Sequence, residues 1–471
     1  MVEPRRHPHG NSRPSWSWYR YGRGLTRVGK GLTTAAMIAG GSAVATSALF
    51  AAGARLIARA PIVPVRRLRP DTTVVEVSAD HVVLAVAEHT TAPGLAGILQ
   101  GESGGASEVC WKLGPPLRPA GRRTVVRPIL ARDAGQLRLG PARWNGFVYE
   151  GDPTSALGLP FEEVEVQSPV GVMPAWQVLS PACLSSVSSP STPGSAHDVP
   201  DCTGGQAAED WVILVHGHGS RRQEALRALP LLHALGLQCL VVTYRNDREA
   251  APSRDRLYHL GAKEWEDIEA ACQYALDQGA RRLVIVGWSM GGGIALRLAE
   301  KSAVRDRIAG LVLDGPAVDW QDILSYHAGA MHAPGPLQAA AMWMLTSPIG
   351  SRAVALREPI ALAEMTRDYH ADHLVHPTLL IHSLDDTYVP PGPSRDLAGR
   401  RPDLVRFVPF DGALHTREWN VDPVRWEREV AGFMTRVLGL SSEVEERALT
   451  RPAGPLGPLW FAHDVRPGPS A

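Results

Sequence analysis

From Trp211 onward, short apolar runs rich in β-branched residues alternate with longer amphipathic stretches. WVILVH, CLVVTYRND, RLVIVGW, AGLVLDG, TLLIHS and VRFVPF read as strands, and EALRALPLLHAL, EWEDIEAACQYALDQ, IALRLAEKS and DPVRWEREVAGFMTRVL read as helices. A strand with no polar face must be covered on both sides. Strands of this kind separated by helices predict an α/β class with a doubly wound, mostly parallel sheet. FEEVEVQSPVGVMPAWQVL, just upstream, reads as two strands joined by a turn around Gly171, an antiparallel entry to that sheet. The rhythm breaks at Val318 to His376, where helical patches predict a lid inserted above the carboxyl edge of the strands.

The pattern changes towards the N-terminus. Between about residues 71 and 155, TTVVEVS, HVVLAVAE and TVVRPIL lie between Gly and Pro turns and predict a small β-rich accessory domain. Before it, Leu32 to Ala54 carries no charge and follows a leader, residues 1–31, that contains Arg20, Arg23, Arg27 and Lys30. A signal anchor, a cleaved secretory signal and a soluble buried helix compete for this stretch. Length and flanking charge favour a single-pass transmembrane helix over 32–54, and hence attachment to a membrane. Arginines follow the stretch as closely as they precede it, so the positive-inside rule does not orient the chain. Ser180 to Asp210 is a polar, low-complexity insertion, and the Pro- and Gly-rich tail over 440–471 is expected to be disordered.

Composition narrows the partners. The 471 residues hold 48 basic and 48 acidic side chains with no basic run, so nothing favours nucleic acid as a partner. Five cysteines do not make a disulfide scaffold. Cys239 and Cys272 read as core thiols, while Cys183 and Cys202 bracket the polar insertion and would close it only in an oxidising compartment. The histidines of YHADHLVH (His370, His373 and His376) precede a proline and lack a completing ligand set, so no metal site is expected.

The chemistry concentrates in VIVGWSMGGG, Val284 to Gly293. Gly287 and Gly291 flank Ser289 in a G-x-S-x-G pattern placed where a strand turns abruptly into a helix. A turn that tight excludes a Cβ on either side, lifts the serine hydroxyl clear of the sheet, and aims the N–H of Met290 at an oxyanion. A serine nucleophile also needs a base and an acid that orients it. Asp386 follows the strand TLLIHS, and His415 follows VRFVPF. Loops at the carboxyl ends of parallel strands converge on one edge, so these distant residues can meet.

From about Gly158 to Leu438 the chain resembles the α/β-hydrolases, in particular the serine aminopeptidase-like and prolyl-oligopeptidase-like groups. VHGHGSRRQEAL, GWSMGG, PTLLIHSLDDTYVP and GALHTREW carry the resemblance. It implies Ser289 as nucleophile, His415 as base and Asp386 as acid, with Asp385 the alternative acid. It also implies a second oxyanion N–H from His218, a small-molecule acyl substrate and no cofactor. Ser383 departs from the glycine usual after the strand histidine. Carboxylic-ester hydrolysis is the reading favoured here, with peptide cleavage, acyl transfer to another acceptor and a non-catalytic binding module as alternatives.

Overall fold

In the computed structural model of the protein, which describes residues 43–65, 69–101, 109–121, 123–181 and 209–451, the apolar runs pair into two sheets. The first contains β1 (Thr72–Val77), β2 (His81–Ala85), β3 (Ala96–Gln100), β4 (Val109–Leu113), β5 (Arg118–Gly121), β6 (Thr124–Ala134) and β7 (Gly140–Asn145). Its order is β2-β1-β7-β3-β4-β6-β5, and β2 also pairs with β6, so the antiparallel strands close on themselves into a small barrel with β5 attached to β6. Closure depends on the length of β6. Residues 124–128 pair with β2, and residues 129–134 pair with β4. A closed barrel leaves few exposed edges to aggregate. Its interior is filled by Val74, Leu84, Ile98, Trp111 and Leu113.

The second sheet contains β8 (Phe161–Ser168), β9 (Gly171–Val178), β10 (Asp210–Val215), β11 (Gln238–Val242), β12 (Arg282–Trp288), β13 (Ile308–Asp314), β14 (Thr378–Ser383) and β15 (Val405–Phe410). Its order is β15-β14-β13-β12-β10-β11-β9-β8. The β8–β9 hairpin turns at Gly171 and joins β11 antiparallel, and every other pairing is parallel. Side chains alternate between two cores. Ile213, Val215, Leu283 and Ile285 enter one, and Val212, Leu214, Val284 and Val286 enter the other. That is why these strands are apolar throughout.

Between β13 and β14 the insertion folds into helices, chiefly Trp320–Ala330, Gly335–Thr346 and Arg367–His373. The Gly335–Thr346 helix meets a partner that differs from the expectation for the N-terminus. Of the uncharged stretch, residues 32–42 lie outside the described residues. The remainder opens a helix, Ala43–Arg59, that runs on through Arg55 and Arg59. Ala54 and Ala58 are buried in the core, and a side chain at Gly53 would meet Leu337 at 3.4 Å. Arg59 Nη1 donates to the Val354 carbonyl at 2.5 Å. Small residues suit close helix-on-helix packing as well as they suit a bilayer; Gly53, Ala54 and Ala58 pack on protein here, while Leu49, Phe50, Ala51, Ala52 and Leu56 are exposed. Among the described residues no helix is long and apolar enough to cross a membrane.

The first part of the tail differs from its expectation, and residues 452–471 lie outside the described residues. Ser442–Leu449 is a helix capped by Ser441, with Ala448 buried and Arg451 paired to Glu427 at 2.8 Å. Cys183 and Cys202 lie outside the described residues, whereas Cys110, Cys239 and Cys272 are free and buried.

Candidate active site

Ser289 sits between the end of β12 and the Met290–Lys301 helix with φ 53° and ψ −118°, a conformation that costs a side-chain-bearing residue energy. The neighbouring glycines make room for it. A Cβ on Gly287 would lie 2.5 Å from the Gly291 carbonyl, and one on Gly291 would lie 2.1 Å from the Val215 carbonyl. The Ser289 N–H donates to the Asp314 carbonyl at 3.0 Å, which pins the turn to the end of β13.

His415, in the loop after β15, places Nε2 2.8 Å from Ser289 Oγ and Nδ1 2.6 Å from Asp386 Oδ2. Asp386 is held from every side. Its Oδ1 accepts the N–H groups of Tyr388 (2.8 Å) and Val389 (2.9 Å), and its Oδ2 also accepts from His382 Nε2 at 3.2 Å. Burial alone would raise its pKa. The charges and hydrogen bonds of His415 and His382 outweigh burial and hold the carboxyl well below the usual range. Asp385 does not reach the imidazole. Its Oδ2 instead accepts the Gly412 N–H at 2.7 Å.

Ser383 has a use that glycine would not supply. Its hydroxyl donates to the Ala413 carbonyl at 2.6 Å and ties the Asp386 turn to the His415 loop. His382, at the end of an otherwise apolar strand, escaped the sequence reading. A polar residue in so apolar a run was the available signal. Its Nδ1 accepts from Ser394 Oγ at 2.8 Å, leaving Nε2–H to donate to Asp386 and the Val389 carbonyl.

Opposite Ser289 runs the loop after β10. A Cβ on Gly217 would lie 3.0 Å from the Ser289 Cβ, so the loop passes the nucleophile in contact. Glu224 Oε2 accepts the Gly217 N–H at 2.8 Å and fixes the loop. His216 meets acceptors at both nitrogens, the Gly217 carbonyl at 2.9 Å and Asp247 at 2.8 Å, an arrangement that favours the protonated ring. Burial opposes that charge, but Asp247 outweighs burial and raises the pKa. His218 turns its ring to the N-terminal segment, where Nε2–H donates to the Pro61 carbonyl at 2.8 Å, and burial pulls the ring down to about 4. Met290 is the first residue of its helix, where backbone N–H groups have no intrahelical acceptor.

Other candidate histidines are engaged elsewhere. His370 Nδ1 lies 2.5 Å from Glu300, His373 stacks on Tyr369, and His376 Nε2 donates to the Arg305 carbonyl at 3.0 Å. On the far flank of the Gly217 loop a cleft of about 530 Å³ opens between barrel and sheet, lined by Gln100, Arg143, Arg221, Arg222, His216 and Tyr258. Ser289 is not part of its wall. The barrel meets the site on another side. The Leu95 N–H donates to the Asn420 carbonyl at 2.8 Å, and Thr387 Oγ1 donates to Glu88 at 3.3 Å.

Residues 211–333 match the family model described as alpha/beta hydrolase fold. Residues 73–145, within the barrel, match a model described as a domain of unknown function (DUF8805). The region that carries the eight-stranded sheet therefore has the α/β-hydrolase fold. Among curated proteins, lysophosphatidylserine lipase ABHD12 of Danio rerio is 23% identical over 227 residues, 45% of this chain and 54% of that protein. The chain thus spans about half the length of the curated relative it matches. Among solved structures, the Pyrococcus furiosus esterase Pf2001 is 19% identical, with 62% of this chain and 97% of that chain covered, at a TM-score of 0.44. A thermophilic esterase from Thermogutta terrifontis is 18% identical, with 59% and 99% covered, at a TM-score of 0.37.

Proposed function

We propose that the protein is a serine hydrolase that cleaves carboxylic esters through an acyl-enzyme on Ser289. The observation that carries the reading is the chain of short contacts from Ser289 Oγ to His415 Nε2 (2.8 Å) and from His415 Nδ1 to Asp386 (2.6 Å). With Nδ1–H donating to the carboxylate, Nε2 keeps its lone pair for the serine proton. Ser289 then attacks the acyl carbon, and His415 takes the proton and passes it to the leaving alcohol. Water, activated by the same imidazole, releases the acid. Asp386 stays ionised and stabilises the imidazolium. The backbone N–H groups of Met290 and His218 take the oxyanion, each worth about 3 kcal/mol of barrier in sites of this type.

A lipase among the relatives supports ester over peptide chemistry. Relative rates on acyl esters and aminoacyl amides separate the two. The uncharged run from Leu32, with basic residues ahead of it, supports a membrane location, and alkaline carbonate extraction of the full chain tests it.

Labelling with a fluorophosphonate probe tests the chemistry. Wild type labels and Ser289→Ala does not, with esterase activity lost in parallel. Unchanged labelling or turnover in Ser289→Ala overturns the proposal.

A further inference from the structure

The cleft between barrel and sheet has no part in the chemistry proposed above, yet arginines from three segments line it. β7 of the barrel supplies Arg143, the loop after β10 supplies Arg221 and Arg222, and the loop after β11 supplies Arg248. Asp247 and Glu249 are the acidic members of the same wall. The volume of about 530 Å³ falls within the range of about 300–1,000 Å³ usual for small-molecule sites.

The carboxylates in and around this wall are already committed. Asp247 holds the His216 ring at 2.8 Å and accepts the Tyr244 N–H at 2.9 Å. Glu249 and Glu163 take the two ends of Arg222 at 2.6 and 2.7 Å, and that guanidinium lies 4.3 Å over the Trp176 ring. Both oxygens of Glu150 meet the same nitrogen of Arg221, Nη2, at 3.0 and 3.1 Å. Arg221 Nε and Nη1 therefore stay uncommitted among the described residues. Arg248 is exposed and forms no ion pair with a described residue. Arg143 adds a third guanidinium from the barrel side, at 5% exposure. Burial, and after it the charge of Arg221, pull Arg143 below its usual range, so a negative group bound in the cleft relieves that repulsion.

We propose that this cleft binds a phosphate group, recognised by Arg143, Arg221 and Arg248. A guanidinium fork matches two phosphate oxygens at a time. One fork serves a carboxylate, whereas three suit a doubly charged phosphate. Because the three arginines come from the barrel and from two loops of the sheet, the ligand needs both parts of the chain, which gives the barrel a role in recognition. The phosphate can come from two sources, the alcohol part of the ester substrate or a free phosphate. Gly219 and Ser220 line the cleft, and Gly217 just before them passes Ser289 in contact, so a group bound there lies one loop away from the nucleophile. Binding stands on the cleft alone, and its effect on turnover rests on the hydrolysis proposed above.

Titration calorimetry of the full chain, wild type and Ser289→Ala, reads binding without turnover. Inorganic phosphate and glycerol phosphate each bind saturably, and glycerol does not. Arg248→Ala and Arg143→Met each weaken phosphate about tenfold, the scale of one charge-assisted hydrogen bond. Arg248 is exposed, so its variant decides the matter even if Arg143→Met fails to fold. No saturable phosphate binding, or an unchanged Kd in Arg248→Ala, overturns the proposal. Kinetics separate the sources. A substrate phosphate gives a higher kcat/KM for an ester with phosphate on its alcohol than for the neutral counterpart, an advantage that Arg248→Ala loses about tenfold and that inorganic phosphate competes away. A free phosphate leaves the two esters equal and changes kcat on the neutral one. Should Ser289→Ala still hydrolyse esters, the hydrolysis scheme fails, while the calorimetry still decides the cleft.

Discussion

The barrel and the parallel sheet both bury charged side chains but fasten them differently. In the barrel, Arg127 is fully buried and is held by main-chain carbonyls: Thr90 at 3.0 Å, Gly94 at 2.9 Å, Gly114 at 2.8 Å, and Ala92. Burial pulls its guanidinium down to about 9, so it still carries its charge at neutral pH. The carbonyls it gathers belong largely to the segment that docks on Asn420, so a structural arginine shapes the surface the barrel presents to the His415 region. In the sheet, buried charges answer one another. Glu224 receives the Gly217 N–H and faces Arg227, whose charge and the nearby N–H outweigh burial and hold the carboxyl below its usual range. A charge satisfied by dipoles shapes one segment. A charge pair whose members each reach another loop, Glu224 to the Gly217 N–H and Arg227 to the Thr416 carbonyl, links those loops, and the linked loops here carry the proposed chemistry.

The largest expected effect lies in the sheet. Asp386→Asn lets His415 adopt the wrong tautomer, and kcat falls by about 10⁴-fold with the melting temperature little changed. Steady-state kinetics checks the first statement and calorimetry the second. A variant within tenfold of wild type would mean that the acid is supplied elsewhere. The barrel answers in the opposite currency. Arg127→Met leaves buried carbonyls without donors and lowers stability by about 3 kcal/mol, while the folded fraction keeps kcat within about twofold. Urea unfolding and kinetics on the same preparation decide it. A neutral effect on stability would remove the contrast between the two regions.

Much of the sheet and the centre of the site were legible because their signals are local. An all-apolar strand followed by glycines around a serine needs no knowledge of the rest of the chain, and neither does an aspartate or histidine just past such a strand. What escaped depends on pairing at a distance. Glu418 in HTREWN looks like a surface helix start, and only the return of β14 to its side makes it a buried partner of Ser383. Barrel closure was hidden in the double pairing of β6, which a count of strands does not reveal. The Ala43–Arg59 helix is ambiguous for a different reason. Alanine and glycine describe a surface for close packing without saying whether lipid or protein lies against it, and over the described residues only Gly53, Ala54 and Ala58 are seen packed on protein.

The smallest effect tests whether the partly buried histidines around the site, His218 in the loop after β10 and His327 on the Trp320–Ala330 helix, bear on stability. Burial pulls His218 and His327 each down to about 4, and the nearby charge of His415 also lowers His327. His327 Nε2–H donates to the Tyr388 carbonyl at 2.9 Å, and its ring lies 4.9 Å from that of Tyr388, which in turn lies 4.9 Å from the ring of His415. For a histidine with a depressed folded pKa, the unfolded chain binds the proton first as pH falls. Stability is therefore lost between about 6.5, the ordinary histidine value, and about 4. Allowing for partial exposure, each histidine contributes about 1–2 kcal/mol to that loss. His216 runs the other way, because Asp247 raises its pKa and its contribution fades as pH rises. The comparison must therefore be made by difference. Urea midpoints at pH 7 and pH 4.5 fall less in His327→Asn than in wild type if the neutral ring is what the fold selects. An equal fall in both would show that the folded protein takes up a proton at His327 as readily as the unfolded chain does, and that the Tyr388 carbonyl does not hold the ring neutral.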